Sequence, residues 1–179
     1  MIPPNLLPDG TEAFIAGGYA ACPALAADID VWVPVAIGDK DRVRERILAH
    51  LRQRQAVLSF EEEDPDNSAR QRFQQDRTLA NSQLLSTFEG YHLVIGLRRV
   101  AKVSIPGASL PYHLIVVEGS VDDVLSSFDI TTHQVALTEK GVVTGEQWTP
   151  LSERPRVIRE KYTTPARLQK ICTRYGWAG

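Results

Sequence analysis

Four residues near the start of the chain stand at spacings that suit phosphate and metal chemistry. Gly17 and Gly18 follow the apolar run Phe14-Ile15-Ala16, and Asp28 and Asp30 flank Ile29 at the head of a β-branched stretch. Glycines in a turn let the backbone approach a phosphate, because no Cβ stands in the way and positive φ is tolerated. A helix starting after that turn would aim free N–H groups at the same anion. Alternation on a strand puts Asp28 and Asp30 on one face, roughly 7 Å apart along the backbone. Two carboxylates so placed can share Mg²⁺ (or Mn²⁺), a hard cation that takes oxygen ligands and fills its shell with water and substrate phosphate. A two-metal centre would stabilise both the attacking and the leaving oxygen of an in-line phosphoryl displacement. A lone glycine pair is ordinarily a turn, and a lone Asp-x-Asp is ordinarily a solvated strand end. Their order, their spacing and the strands on both sides carry the argument together.

The elements that must position these residues are legible as patterns. Phe14-Ile15-Ala16 reads as a strand entering a tight turn, and residues 19–25 as a short helix that Pro23 restricts to a first turn or an irregular start. Ile29 to Val35 alternates and is β-branched, a strand that Pro34 should finish. A helix capped by Asp39 or Asp41 follows, with Val43, Ile47, Leu48 and Leu51 on one face. Residues 56–60 suggest a strand, and 61–82 a polar excursion, mobile or holding a short helix. Residues 91–105 read as one or two strands and Tyr112 to Val117 as the next, a hairpin about the Pro106-Gly107 turn. Ser120 with Asp123 makes a capping-box start for a helix over Val121 to Ser127. Phe128 to Leu137 reads as a further strand, turning at Lys140-Gly141 into Val142-Val143. Thr164-Pro165 opens a last helix that runs to about Arg174 and stops at Gly176. The expectation is one α+β domain over residues 1–179, a mixed β-sheet flanked by helices, with a basic segment over 151–179.

With these residues in view, the run Phe14-Ile15-Ala16-Gly17-Gly18, nine intervening residues, then Asp28-Ile29-Asp30-Val31 resembles the signature of the DNA polymerase beta-type nucleotidyltransferase superfamily. That superfamily includes CCA-adding enzymes, poly(A) polymerases and small antibiotic- and toxin-type nucleotidyltransferases. The resemblance implies the nucleotidyltransferase fold, with a divalent ion and a nucleoside triphosphate at the glycine turn. It implies transfer of a nucleoside monophosphate to a hydroxyl acceptor (an RNA end, a protein or a small molecule) with release of pyrophosphate. Phe128 to Leu137 looks like a worn version of a stretch in CCA-adding enzymes, and more like the Phe-Asp strand of viral and phage-type members. Superfamily enzymes usually carry a third carboxylate on a neighbouring strand. In the CCA-adding pattern it would fall within Tyr112 to Val117, where this chain has His113 and no acid. Asp129 is the preferred third ligand and would also align or deprotonate the acceptor; Glu118 is the second choice. The arginine pair preceding the CCA-type stretch is replaced by Ser126-Ser127, which argues against CCA addition.

Further candidates are less specific. Arg98, Arg99 and Lys102 could take the triphosphate, or could be solvated edge-strand charges. His133 stands four residues after Asp129, on the same face of an ideal strand, and could contact the substrate. In the C-terminal segment Arg154, Arg156, Arg159, Lys161, Arg167, Lys170 and Arg174 interleave with Tyr162 and Tyr175, a pattern that suits nucleic acid or nucleotide and equally a solvated helix face. Cys22 has no Cys-His context, and Ser82 and Ser86 no nucleophile elbow. Composition limits the rest. Hydrophobic residues are 43%, charged residues 23% and the formal net charge −2, ordinary values that give no overall pull on polyanions. Two distant cysteines fit neither a zinc site nor a disulfide scaffold and point to the cytoplasm. The first residues do not read as a signal peptide, and no apolar run approaches the ~20 residues that cross a bilayer. A catalytically silent module of the same fold and a plain nucleic-acid-binding protein are the alternatives.

Overall fold

The computed structural model describes residues 1–53, 100–103, 108–158 and 165–177. They build a six-stranded mixed sheet flanked by helices, an α+β arrangement. In chain order the strands are β1 (Phe14–Ala16), β2 (Ile29–Val35), β3 (Val100–Val103), β4 (Tyr112–Glu118), β5 (Val135–Thr138) and β6 (Gly141–Thr144). The helices are α1 (Gly18–Ala21), α2 (Lys40–Gln53), α3 (Val121–Ser127) and α4 (Pro165–Tyr175), with 3₁₀ turns at Pro23–Leu25 and Thr131–His133. The strand order is β3-β4-β2-β1-β5-β6. Only β2 and β4 run parallel; every other neighbouring pair is antiparallel.

Alternation along the central strands divides the core into two layers. Ile15, Ile29, Val31, Val33, Tyr112, Leu114 and Val116 pack together with Ile47, Leu48 and Leu51 of α2. Phe14, Ala16, Trp32, Ile115 and Val117 pack with Val124 and Leu125 of α3. The period of two on the strands and the Ile47/Leu48/Leu51 spacing on the helix are the patterns that make such a two-sided sheet. Asp30 and His113 belong by parity to the α3 side, and they stand at the starts of β2 and β4. Helix α3 covers that side beneath Trp32, Ile115 and Val117, nearer the other end of the strands. It is held by a complete capping box, in which the Ser120 hydroxyl accepts from the Asp123 N–H and the Asp123 carboxylate accepts from the Ser120 N–H at 2.7 Å. These bonds hold the Asp123 carboxyl below its usual range.

Two expectations need correcting. Strand β2 does not end at Pro34 but continues to Val35, with Pro34 opposite Val117 in the parallel ladder. Phe128 to Leu137 is not one strand. The Asp129 carbonyl accepts from the Ile158 N–H at 2.8 Å, and the Thr131 N–H donates to the Arg156 carbonyl at 3.1 Å. This segment therefore pairs with 156–158 through a single bridge at Ile130 and Val157, then coils into the 3₁₀ turn before β5 begins. The Thr131 hydroxyl fixes the bend by bonding Thr149 at 2.6 Å and accepting from the Arg156 N–H at 3.0 Å. The strand expected over 56–60, the excursion over 61–82 and the Pro106-Gly107 turn lie outside the described residues. Among the described residues no helix is long and apolar enough to cross a membrane.

Candidate metal centre

Asp28 ends the loop before β2, and Asp30 is the second residue of that strand. The parallel ladder sets Asp30 directly opposite His113, the second residue of β4. The His113 Nδ1 lies 3.3 Å from the Asp30 Oδ1 and 4.0 Å from the Asp28 Oδ2. One ligand atom from each of the three lies within 4.8 Å of the others, so the trio could hold a metal ion. His113 is 7% exposed, Asp30 14% and Asp28 30%, so the cluster is walled on the sheet side and open past Asp28. Facing antiparallel β3 sets Lys102 opposite His113 in backbone register.

The glycine turn adjoins this cluster. Gly17 adopts φ 85° and ψ −142°, a conformation that disfavours any side chain. A Cβ placed on Gly17 would sit 3.4 Å from the Asp30 Oδ2 and 3.4 Å from the Phe128 ring. Gly18 opens α1, and a Cβ there would meet the Arg174 Nη1 at 3.5 Å and the Tyr175 Oη at 3.9 Å. The end of α4 therefore lies over one glycine while the Asp30 carboxylate lies beside the other.

Asp129 takes a different place from the one its spacing suggests. It is 1% exposed and forms a forked ion pair with Arg167 of α4, Oδ2 to Nε at 2.8 Å and Oδ1 to Nη2 at 3.0 Å. A guanidinium fork of this kind occupies both carboxylate oxygens, and Asp129 is not part of the three-residue cluster. Glu118 sits at the far end of β4, where its Oε1 accepts from the Gly38 N–H at 2.9 Å. His133 is buried, with its Nε2 3.1 Å from the Tyr175 hydroxyl and its ring edge-on to Phe128. Burial first, then the Arg167 charge, push its pKa down to about 4, against the pull of Asp129. The imidazole is thus neutral and packed among aromatics. Burial also pushes the Tyr175 phenol up, and the Arg174 guanidinium beside it opposes that shift. Arg98 and Arg99 lie outside the described residues.

Sequence reasoning therefore brought Gly17, Gly18, Asp28 and Asp30 together as the structure does. It passed over His113 as a ligand and Arg174 as a neighbour of the turn. The signal for His113 was present: it stands on the strand where the superfamily resemblance leads one to look for a third ligand. No signal short of the tertiary fold joins Arg174 to Gly18. The chain matches no protein-family model, and no curated protein and no solved structure matches it.

Proposed function

We propose that this protein is a metal-dependent nucleotidyltransferase whose metal is held by Asp28, Asp30 and His113. The observation that carries the reading is the convergence of these three ligands, within 4.8 Å of one another, beside the Gly17-Gly18 turn. The donor set fits a divalent ion: two hard carboxylates and one imidazole, with an open side toward solvent at Asp28. Imidazole favours first-row transition metals, so Mn²⁺ suits this set better than Mg²⁺. Once bound, such an ion supplies positive charge to a phosphoryl group in transfer.

The chain's own residues do the rest. Gly17 and Gly18 leave the backbone bare where the β- and γ-phosphates of a nucleoside triphosphate would lie. Asp28, the more exposed carboxylate, is the group placed to accept the proton of an attacking hydroxyl. The acceptor oxygen then bonds to the α-phosphorus, the bond to the bridging oxygen breaks, and pyrophosphate departs. Asp129 takes no part, because its two oxygens are engaged by Arg167. Arg98, Arg99 and Lys102 are further candidates for the phosphates, Lys102 from its register position opposite His113. The acceptor is an RNA end, a protein or a small molecule.

One observation favours a second reading, a catalytically silent module of the same fold: among the described residues the cluster contains two carboxylates and not three. The two readings separate by experiment. Thermal stabilisation by Mn²⁺ with each of the four triphosphates is expected for the wild type and lost in Asp30→Ala; equal stabilisation in both removes the metal site. Transfer of label from a triphosphate to a lysate fraction, abolished in Asp28→Asn, establishes turnover. Tight nucleotide binding without transfer leaves the silent module.

A further inference from the structure

The C-terminal helix brings a cation to Gly18, while the Asp30 carboxylate lies beside Gly17. Arg174 occupies the last turn of α4, half-buried, and its Nη1 stands 3.5 Å from where a Gly18 Cβ would be. Among the described residues no carboxylate pairs with it. Arg167 on the same helix is different, since its fork is closed on Asp129. The two arginines thus divide the work: one ties α4 to the sheet side, the other is presented at the turn.

Tyr175, whose hydroxyl shares the space over Gly18 with the Arg174 guanidinium, is placed by a chain of aromatic contacts. It touches the buried His133 through the phenol oxygen at 3.1 Å. Trp177 lies against Tyr175 with ring centroids 4.9 Å apart and planes tilted by 55°, and its Nε1 donates to the Leu151 carbonyl at 3.3 Å. Phe128 links His133 to Trp32 of β2 by two edge-to-face contacts. A planar guanidinium fork binds phosphate oxygens through charge-assisted hydrogen bonds, the strong kind. The bland alternative is that a basic residue at a helix C-terminus merely complements the helix dipole. That role would not require a backbone without side chains facing the guanidinium, and Gly18 supplies one.

We infer that Arg174 is the phosphate-binding residue of this site, taking the terminal phosphates of a metal-bound polyphosphate that lies across Gly17 and Gly18. The inference rests on the proposed metal centre and adds the second anchor of its substrate. The metal ligands hold one end of a phosphoanhydride chain beside Gly17, and the guanidinium holds the other beside Gly18. The ligand class is therefore a compound with two or more linked phosphates; a monophosphate would reach one anchor only.

The test is calorimetric titration of the full chain with Mn²⁺ alone and then with inorganic tripolyphosphate in the presence of Mn²⁺. The variants are Arg174→Gln, Gly18→Ala and Asp30→Asn, each checked for a cooperative melt. Arg174→Gln keeps the side-chain stem, so Mn²⁺ affinity is expected within about twofold of wild type while tripolyphosphate affinity falls at least about tenfold, the loss of one charge-assisted hydrogen bond. Gly18→Ala is expected to fold, since its Cβ meets nothing closer than 3.5 Å, and to weaken tripolyphosphate by crowding the gap. It serves if Arg174→Gln does not fold. Wild-type tripolyphosphate affinity in both variants, with Mn²⁺ binding lost in Asp30→Asn, overturns the role of Arg174 and leaves the metal centre standing. A wild type that binds neither Mn²⁺ nor tripolyphosphate overturns both.

Discussion

Asp129→Asn separates a structural carboxylate from a metal ligand. In the folded chain Asp129 is 1% exposed and meets Arg167 through two bonds of 2.8 and 3.0 Å. Asparagine keeps the size, but it removes the charge and turns an N–H₂ group toward one guanidinium N–H. Removing one partner of a buried pair costs about 3–5 kcal/mol. Arg167 retains 18% exposure, so water relieves part of its stranded charge, and the lower end, about 3 kcal/mol, is the expected cost. For a chain of this length that is a fall in Tm of roughly 6–12 °C. Mn²⁺ affinity, measured by calorimetry well below the shifted transition, should stay within about twofold of wild type, because Asp129 lies outside the ligand cluster. Replacing both partners with apolar residues, Asp129→Leu with Arg167→Met, should recover most of the lost stability. A variant that keeps its Tm and loses Mn²⁺ as completely as Asp30→Asn would refute the assignment and return Asp129 to the metal.

Two further outcomes follow from the same geometry. Gly17→Ala should cost about 1–3 kcal/mol, because φ 85° with ψ −142° strains any L side chain; Gly18→Ala should cost markedly less, and equal losses on denaturant melts would contradict the difference in backbone. His133 sets a pH dependence. The unfolded chain protonates this imidazole near its ordinary 6.5, whereas the folded chain refuses the proton until about pH 4. Its contribution to stability is thus intact above pH 6.5 and is lost as pH falls toward 4, by up to about 3 kcal/mol. Melts of wild type and His133→Gln across that range should show the smaller slope in the variant, and parallel slopes would count against it.

Much of the frame is legible in the sequence because it depends on local pattern. Alternation in Ile29 to Val35, the 3.6-residue spacing of Ile47, Leu48 and Leu51, and the Ser120/Asp123 box each name an element within a residue or two of its position. The glycine turn and its aspartates are legible for the same reason, since both lie on adjacent elements. Asp129 is not, because its partner Arg167 is 38 positions away and nothing in the intervening residues announces the pair. His113 is a different failure. Its strand is legible, and it stands where a third ligand is sought, but a search for an acid passes over an imidazole that could serve there. The bend at Ile130 escapes because β-branched residues favour a strand there, and only the tertiary bonds to Thr149 and Arg156 overrule them.

Strand β1 carries a consequence for how the protein acquires its shape. Only three residues long, it is the sole link between β3-β4-β2 and β5-β6 in the described sheet. The β5-β6 pair closes locally across Glu139-Lys140, while β2 and β4 are joined by a long connection and meet slowly. A strand whose Ile15 must register with both Val31 and Leu137 cannot settle until each half exists. The turn at Gly17, whose N–H bonds the Val135 carbonyl at 3.3 Å, inherits that delay. With only β3-β4-β2 formed, the chain would carry the carboxylates without the turn beside them, so the two parts of the site depend on opposite halves of the sheet for their placement.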